Sequence, residues 1–300
     1  MEYVTLSNGV KMPKNGFGVY QISKEDCARC VYNAIKIGYR LIDTAQSYFN
    51  EEEVGEGIQK AITDGLVKRE EIFITSKVWI DNYGYEKCKE SVLESMRKLK
   101  VDYIDLMLLH QPFADYYGAY RALEDLYEEG KLKAIGVSNF YPDRLADICL
   151  FERKIAPHVN QVETNVFNSQ YEAQENMKNF NVQIEAWAPF AEGKNNMFSN
   201  EVLTEIGKKY NKSVAQVILR WLIQRDVVAI SKSTQIERVK ENFNIFDFKL
   251  SEEDMEKIKE LDTKTSLFFS HTDPNMVKWF DETVKSRRTN HDHTKDKKNW

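Results

Sequence analysis

Apolar and polar positions along the chain follow two alternating periods. Short β-type runs recur at GFGVY (16–20), YRLIDT (39–44), IFITSKV (72–78), YIDLMLLH (103–110), AIGVSN (134–139), VNQVET (159–164), VQIEAW (182–187) and VVAIS (227–231). Between them lie longer stretches with apolar residues three and four apart, among them EEVGEGIQKAITDG, EKCKESVLESMRKLK, AYRALEDLYEEGK and SVAQVILRWLIQR. Several runs are apolar nearly throughout, the pattern of parallel strands covered on both faces. Eight strand–helix units in about 230 residues, with no break in composition, predict one closed α/β barrel of the (β/α)8 TIM type. An open doubly wound sheet is the main competitor, but no G-x-G-x-x-G follows the first strand.

Both ends add elements to this plan. Asn8-Gly9 between two short alternating runs predicts an N-terminal β-hairpin with a type I′ turn, both turn residues at positive φ. SKEDCARCVYNAIKIG reads as a helix capped by Ser23 and stopped by Gly38. FKLSEEDMEKIKELD adds an extra C-terminal helix, with Ser251 and Asp254 at capping-box spacing. Residues 1–284 therefore form a single domain, and Lys285 to Trp300 a polar, basic, solvated tail. His291 and His293 within that tail make a poor ligand set for a metal.

Composition excludes more than it assigns. With 300 residues, 42% of them hydrophobic, the chain can bury a large core without disulfides or metals. A formal net charge of −5 gives no general reason to expect nucleic acid or an anionic membrane as partner. The first residues carry Glu2 and no sustained apolar run, so they do not read as a signal peptide, and no stretch approaches the roughly 20 apolar residues of a membrane span. Four scattered cysteines (Cys27, Cys30, Cys88, Cys149) read as free thiols of a reducing, cytoplasmic compartment. Cys27 and Cys30 form a C-x-x-C inside a helix, not at a strand-to-helix junction, which argues against a redox or metal role.

In a (β/α)8 barrel chemistry collects at the carboxyl ends of the strands. The second strand ends at Asp43, with Tyr48 in the next loop; the third runs into Lys77; the fourth ends at His110. Singly these are a loop cap, a surface lysine and a hydrogen-bonded histidine; at three adjacent strand ends they make a constellation. A phenol titrates near pH 10, too high for efficient proton exchange at neutrality, and a lysine cation beside it favours the phenolate. An aspartate keeps that lysine charged, and a histidine can orient a carbonyl oxygen. The set suits protonating a carbonyl oxygen while hydride arrives at its carbon.

The string IDTAQSYFNEEEVG resembles the aldo-keto reductase segment that carries the catalytic Asp and Tyr. TSKVW resembles the segment with its Lys, and LLHQP the segment with its His. The likeness continues through GKLKAIGVSNF, VNQVETN, EAWAPF and AISKSTQIERVKEN, reaching about residue 280 in several ordered motifs. The resemblance implies a catalytic tetrad of Asp43, Tyr48, Lys77 and His110, with Tyr48 as general acid. It implies nicotinamide contacts from Ser138, Asn139, Gln161 and Trp187, the last by stacking. Lys232, Ser233 and Arg238 match the grip on a 2′-phosphate, and Glu241 and Asn242 the adenine contacts. NADPH is therefore the implied cofactor, on the view that two buried cations lack a partner without that phosphate. Ser231, Gln235, Ala188 and FAEGKNN depart from the common pattern around the pyrophosphate.

The same resemblance implies a substrate pocket walled by Tyr20, Trp79, Gln111, Phe113, Phe268 and Phe269, suited to aldehydes, α-keto carbonyls or quinones. Gln111 stands where many members have tryptophan, which makes one wall more polar. The pattern is most like bacterial members that reduce small aldehydes such as methylglyoxal, or diketo-sugar acids. A monomer or weak homodimer acting on a small carbonyl compound is the expectation. The alternatives are an NADPH-binding regulatory protein with little turnover, which has no reason to keep a Lys–Asp pair beside Tyr48, and a barrel hydrolase or lyase, which leaves Lys232 and Arg238 unexplained.

Overall fold

In the computed structural model, residues 1–151 and 153–289 are described. All eight strand runs enter one closed parallel barrel: β3 (Asn15–Gly18), β4 (Leu41–Asp43), β5 (Phe73–Val78), β6 (Ile104–Leu109), β7 (Leu132–Ser138), β8 (Val159–Glu163), β9 (Gln183–Trp187) and β10 (Val228–Ser231). They pair in chain order, and β10 closes on β3 through Ala229–Asn15 and Ile230–Gly16. Helices α1 (Lys24–Ile37), α2 (Glu51–Thr63), α3 (Tyr85–Leu99), α4 (Tyr116–Glu128), α5 (Pro142–Leu150), α6 (Tyr171–Asn179), α7 (Glu201–Tyr210), α8 (Val214–Gln224) and α9 (Ile236–Phe243) surround the barrel. Two further helices follow, α10 (Glu252–Lys259) and α11 (Pro274–Thr289).

Local chemistry sets several boundaries. Ser23 accepts from Asp26 N at the start of α1, and Gly38 ends it at φ 133°. Ser213 and Gln216 make the reciprocal capping box of α8. At α10 only half of that box forms: Ser251 Oγ accepts from Asp254 N, while Ser251 N donates to the Tyr210 hydroxyl at 2.9 Å. Asp is one carbon too short where Glu usually reaches back, and Tyr210 supplies the missing acceptor. Helix α11 runs through Lys285 to Thr289, past the point where the polar pattern sets the tail; His291 and His293 lie outside the described residues.

The N-terminal hairpin forms between β1 (Tyr3–Thr5) and β2 (Lys11–Pro13), but its turn differs from the type I′ expectation. Only Gly9, at φ 86°, has positive φ. Gly9 N donates to Leu6 O and Leu6 N to Val10 O, each at 2.8 Å, so Ser7, Asn8 and Gly9 form a three-residue loop. That is a type I turn closed by a left-handed glycine. Asn8 is held elsewhere: its side-chain amide donates to Lys133 O at 2.9 Å.

The hairpin plugs one end of the barrel. Val4, Leu6 and Met12 join Leu41, Phe73, Leu106, Leu108, Ala134, Val159, Val228 and Ile230 in one apolar cluster that fills the lower interior. A larger cluster packs the helices against the outer strand faces. Side chains alternate across a strand, so two residues beyond Leu41 and Val159 the inward positions are Asp43 and Gln161. The polar layer sits directly above the dry one.

Two glycines in α2 let the helices approach closely. A β-carbon at Gly55 would lie 2.6 Å from Lys98 O in α3, and one at Gly57 would lie 2.6 Å from Ala28 O in α1. Helix propensity alone favours alanine over glycine by about 1 kcal/mol. Backbone overlap wins, so Gly55→Ala is expected to destabilise by about 1–3 kcal/mol, read as a lower midpoint in urea unfolding.

Candidate active site

The loop after β4 is built to hold one phenol. Residues Gln46–Tyr48 make a single 3-10 turn, ended by Phe49 at φ 57°. Gln46 accepts from Trp79 N and Asn82 Nδ2 at 3.0 and 2.9 Å, tying the turn to the end of β5. Asn50 donates to Val19 O at 3.0 Å and accepts from Thr44 Oγ1 at 3.2 Å. Glu51 accepts from Ser76 Oγ at 2.7 Å, fixing the start of α2 next to Lys77.

Within this frame, Asp43, Tyr48, Lys77 and His110 meet. The Lys77 ammonium, fully buried, donates to both Asp43 oxygens at 2.7 and 2.8 Å, to Thr44 O at 3.0 Å and to the Tyr48 hydroxyl at 3.3 Å. Burial works against its charge, but Asp43 and Tyr48 outweigh it and hold the ammonium above its usual range. The Tyr48 ring packs 5.0 Å from Tyr20 and meets the His110 ring edge-on at 5.8 Å. His110 Nδ1 lies 3.3 Å from Ser47 Oγ.

The phenol departs from the sequence expectation in one respect. Burial raises the Tyr48 pKa above its ordinary value; Lys77 pulls it down without reversing the shift, and Asp43 and Glu185 add to the rise. Tyr48 is thus protonated at neutral pH, the form a proton donor needs.

A cavity of about 520 Å³ opens over these groups. Its wall includes Tyr20, Trp79, Gln111, Phe268 and Phe269 of the expected substrate residues, and Ser138, Asn139, Gln161, Trp187 and Lys232 of the expected cofactor residues. Phe113 is not on the wall. It packs behind it, 5.2 Å from the Phe280 ring and 6.1 Å from His271. Ser233, Arg238, Glu241 and Asn242 also lie off this wall, along the loop and helix α9 that follow Lys232. Asn242 is buried, its carbonyl accepting from Asn15 Nδ2 at 3.0 Å. Lys232 and Arg238 are exposed, so the reasoning from two buried cations fails. Water solvates them without a phosphate, and they offer charge to one without strain.

The polar groups at the mouth are already ordered. Asn139, at φ 64°, donates to His110 O at 3.1 Å and accepts from Trp187 Nε1 at 2.8 Å. Ser138 Oγ donates to Gln161 O at 2.8 Å. Gln161 Nε2 donates to Asp43 Oδ2 and Glu185 Oε2, both at 2.9 Å, which leaves its Oε1 for a ligand in the cavity. Amide groups, a half-buried indole and the wall cations Lys194 and Lys232 fit a nicotinamide dinucleotide with its phosphates.

Three features escaped the sequence reading. Lys194 donates to Leu267 O at 2.9 Å and lies 3.8 Å from the Phe268 ring centre, joining the loop after β9 to the C-terminal segment. Glu185 lies fully buried beneath the site; its alternation with Trp187 along VQIEAW was the available signal. His271 Nε2 bonds Gln111 Oε1 at 2.9 Å, and no local pattern marks that pairing across 160 residues.

Comparison with known proteins now decides the family. The family model described as "Aldo/keto reductase family" matches residues 6–263. The chain belongs to the aldo/keto reductase family. As an aldo/keto reductase it is an oxidoreductase of carbonyl compounds that uses NADP(H). The glyoxal reductase of Bacillus subtilis is 48% identical over 260 residues, covering 86% of this chain and 92% of that protein. The methylglyoxal reductase DkgA of Escherichia coli is 37% identical, covering 86% and 93%. An aldo-keto reductase from a Medee basin deep-sea metagenome library superimposes with a TM-score of 0.86 at 43% identity, covering 90% of this chain and 98% of that one. The Bombyx mori aldo-keto reductase, solved in complex with NADP, gives a TM-score of 0.85 at 32% identity, covering 92% and 96%. Among the described residues of this reductase, no group of three or more His, Cys, Asp or Glu could hold a metal, and no helix is long and apolar enough to cross a membrane.

The His271 contact carries a pH signature. Burial lowers its pKa from 6.5 to about 4, so the unfolded chain takes up this proton first as pH falls. Its contribution to stability is present above about pH 6.5 and is lost on acidification towards about 4, by on the order of 2–3 kcal/mol. His271→Phe is expected to flatten that part of the stability–pH curve, measured by urea unfolding across the range.

Proposed function

We propose that Tyr48 is the proton donor of this reductase, that Lys77, Asp43 and His110 complete its catalytic set, and that its substrates are small 2-oxoaldehydes. The observation that carries the reading is the Lys77 ammonium, 3.3 Å from the Tyr48 hydroxyl while bound to both Asp43 oxygens. As negative charge develops on a carbonyl oxygen, Tyr48 gives up its proton and the adjacent cation stabilises the phenolate left behind. His110, fixed by Ser47 and by its place at the end of β6, orients the carbonyl oxygen. The bound dinucleotide supplies the hydride. Asn139 and the free oxygen of Gln161 hold its carboxamide and Trp187 its ring; Lys232, Ser233 and Arg238 hold the 2′-phosphate, with Glu241 and Asn242 nearer the adenine.

The substrate class rests on Gln111 and on two relatives named for glyoxal and methylglyoxal. His271 occupies the Gln111 carbonyl, leaving the amide N–H groups of Gln111 for a second oxygen beside the reacting carbonyl. Tyr20, Trp79, Phe268 and Phe269 supply the apolar remainder of the wall. Four buried free thiols suit the cytoplasm.

Tyr48→Phe is expected to cut methylglyoxal reduction by about a hundredfold to ten-thousandfold, with NADPH binding by fluorescence titration unchanged. Full activity in that variant would remove the proposed donor. Lys232→Ala combined with Arg238→Ala is expected to raise KM for NADPH about tenfold or more and leave NADH use unaltered. Equal loss with both cofactors would place the phosphate elsewhere.

A further inference from the structure

Beneath the four reacting groups lies a second carboxyl that the proposed chemistry does not use. Glu185, on β9, is fully buried in the barrel interior and shares one amide with Asp43. Gln161 Nε2 donates to Glu185 Oε2 and to Asp43 Oδ2, each at 2.9 Å. The cation in this layer, Lys77, spends its bonds on Asp43, Thr44 and Tyr48. The other oxygen of Glu185, Oε1, is buried with no hydrogen-bond partner. Two buried carboxyls around one cation cannot both be ionised cheaply, and the orphaned oxygen marks Glu185 as the one that stays neutral.

The surroundings support the same division. Register places Gln161 of β8 and Val228 of β10 beside Glu185. The titratable groups acting on it are Asp43 from β4 and Lys77 from β5, and it acts in turn on Tyr48. Burial, with the charge of Asp43, pushes its carboxyl up to about 8; Gln161 and Lys77 oppose the shift without cancelling it.

We propose that Glu185 is a positioning residue, a neutral buried acid that holds Gln161 against Asp43 and whose ionisation weakens Tyr48 as a proton donor. When its proton passes to bulk base, a second negative charge appears in the layer with Asp43 and raises the phenol pKa further. The reductase thereby carries a brake that acts at mildly alkaline pH, separate from the titration of Tyr48 itself. The inference rests on the role proposed for Tyr48.

The test compares wild type and Glu185→Gln, which keeps the shape and an acceptor for Gln161 but cannot ionise. Wild-type kcat for methylglyoxal reduction is expected to step down by about three- to tenfold between about pH 7 and pH 9, to a lower plateau. Glu185→Gln should keep its activity near neutrality and lack the step. A step of the same size in the variant, or no step in wild type, overturns the brake. An arm independent of turnover follows glutamate δ-carbons by 13C NMR in the whole protein. One buried glutamate should titrate near pH 8, and Glu185→Asp should remove that signal. If Glu185→Gln fails to fold, this titration in wild type still decides: a Glu185 carboxyl already ionised at about pH 6 sinks the proposal, whatever Tyr48 does.

Discussion

An ammonium and a carboxylate, both withdrawn from water, meet at the top of a closed barrel, and most of the upper structure exists to make that tolerable. Removing one partner of such a buried pair leaves an uncompensated charge and costs about 3–5 kcal/mol. Lys77 and Asp43 avoid this by short contact at 2.7 and 2.8 Å, and by further bonds to Thr44 O, Tyr48 and Gln161. The order imposed on Gln161 and Tyr48 follows from the same need. Two groups that satisfy the pair, Tyr48 and Gln161, also line the cavity.

The barrel was legible because its signals are periodic and repeated eight times. Strand ends also told which residues converge, since alternation alone puts Asp43, Lys77 and Gln161 on the inner face. What escaped the sequence was of another kind. The hairpin turn was misassigned because Asn8 reaches Lys133 O, a tertiary contact that no local rule contains. The phenol of Tyr48 was expected to fall in pKa because lysine was weighed and burial was not. Phe113 packs behind the cavity wall against Phe280 of α11 and His271, residues that follow it by well over a hundred positions. Lys232, in the loop after β10, and Arg238, on α9, are exposed, which composition does not encode.

The interior is divided between two solvents in effect. Below, the hairpin and eight inward apolar side chains exclude water; above, a fixed set of dipoles replaces it. This division lets ionisable groups titrate away from their usual ranges. It also separates what a substitution can disturb. Changes at Gly55 or Gly57 act on helix packing, whereas changes at Phe268 act on the cavity wall.

The plug formed by the hairpin has a consequence for traffic. A barrel sealed at one end has a single doorway, and here it is the cavity walled by Trp187, Phe268 and Phe269. Among its lining, Gln161 and Asn139 are buried, and Phe268 and Phe269 are only partly buried. With the other end closed, a molecule coming from water to Asp43 or Tyr48 has to pass that wall.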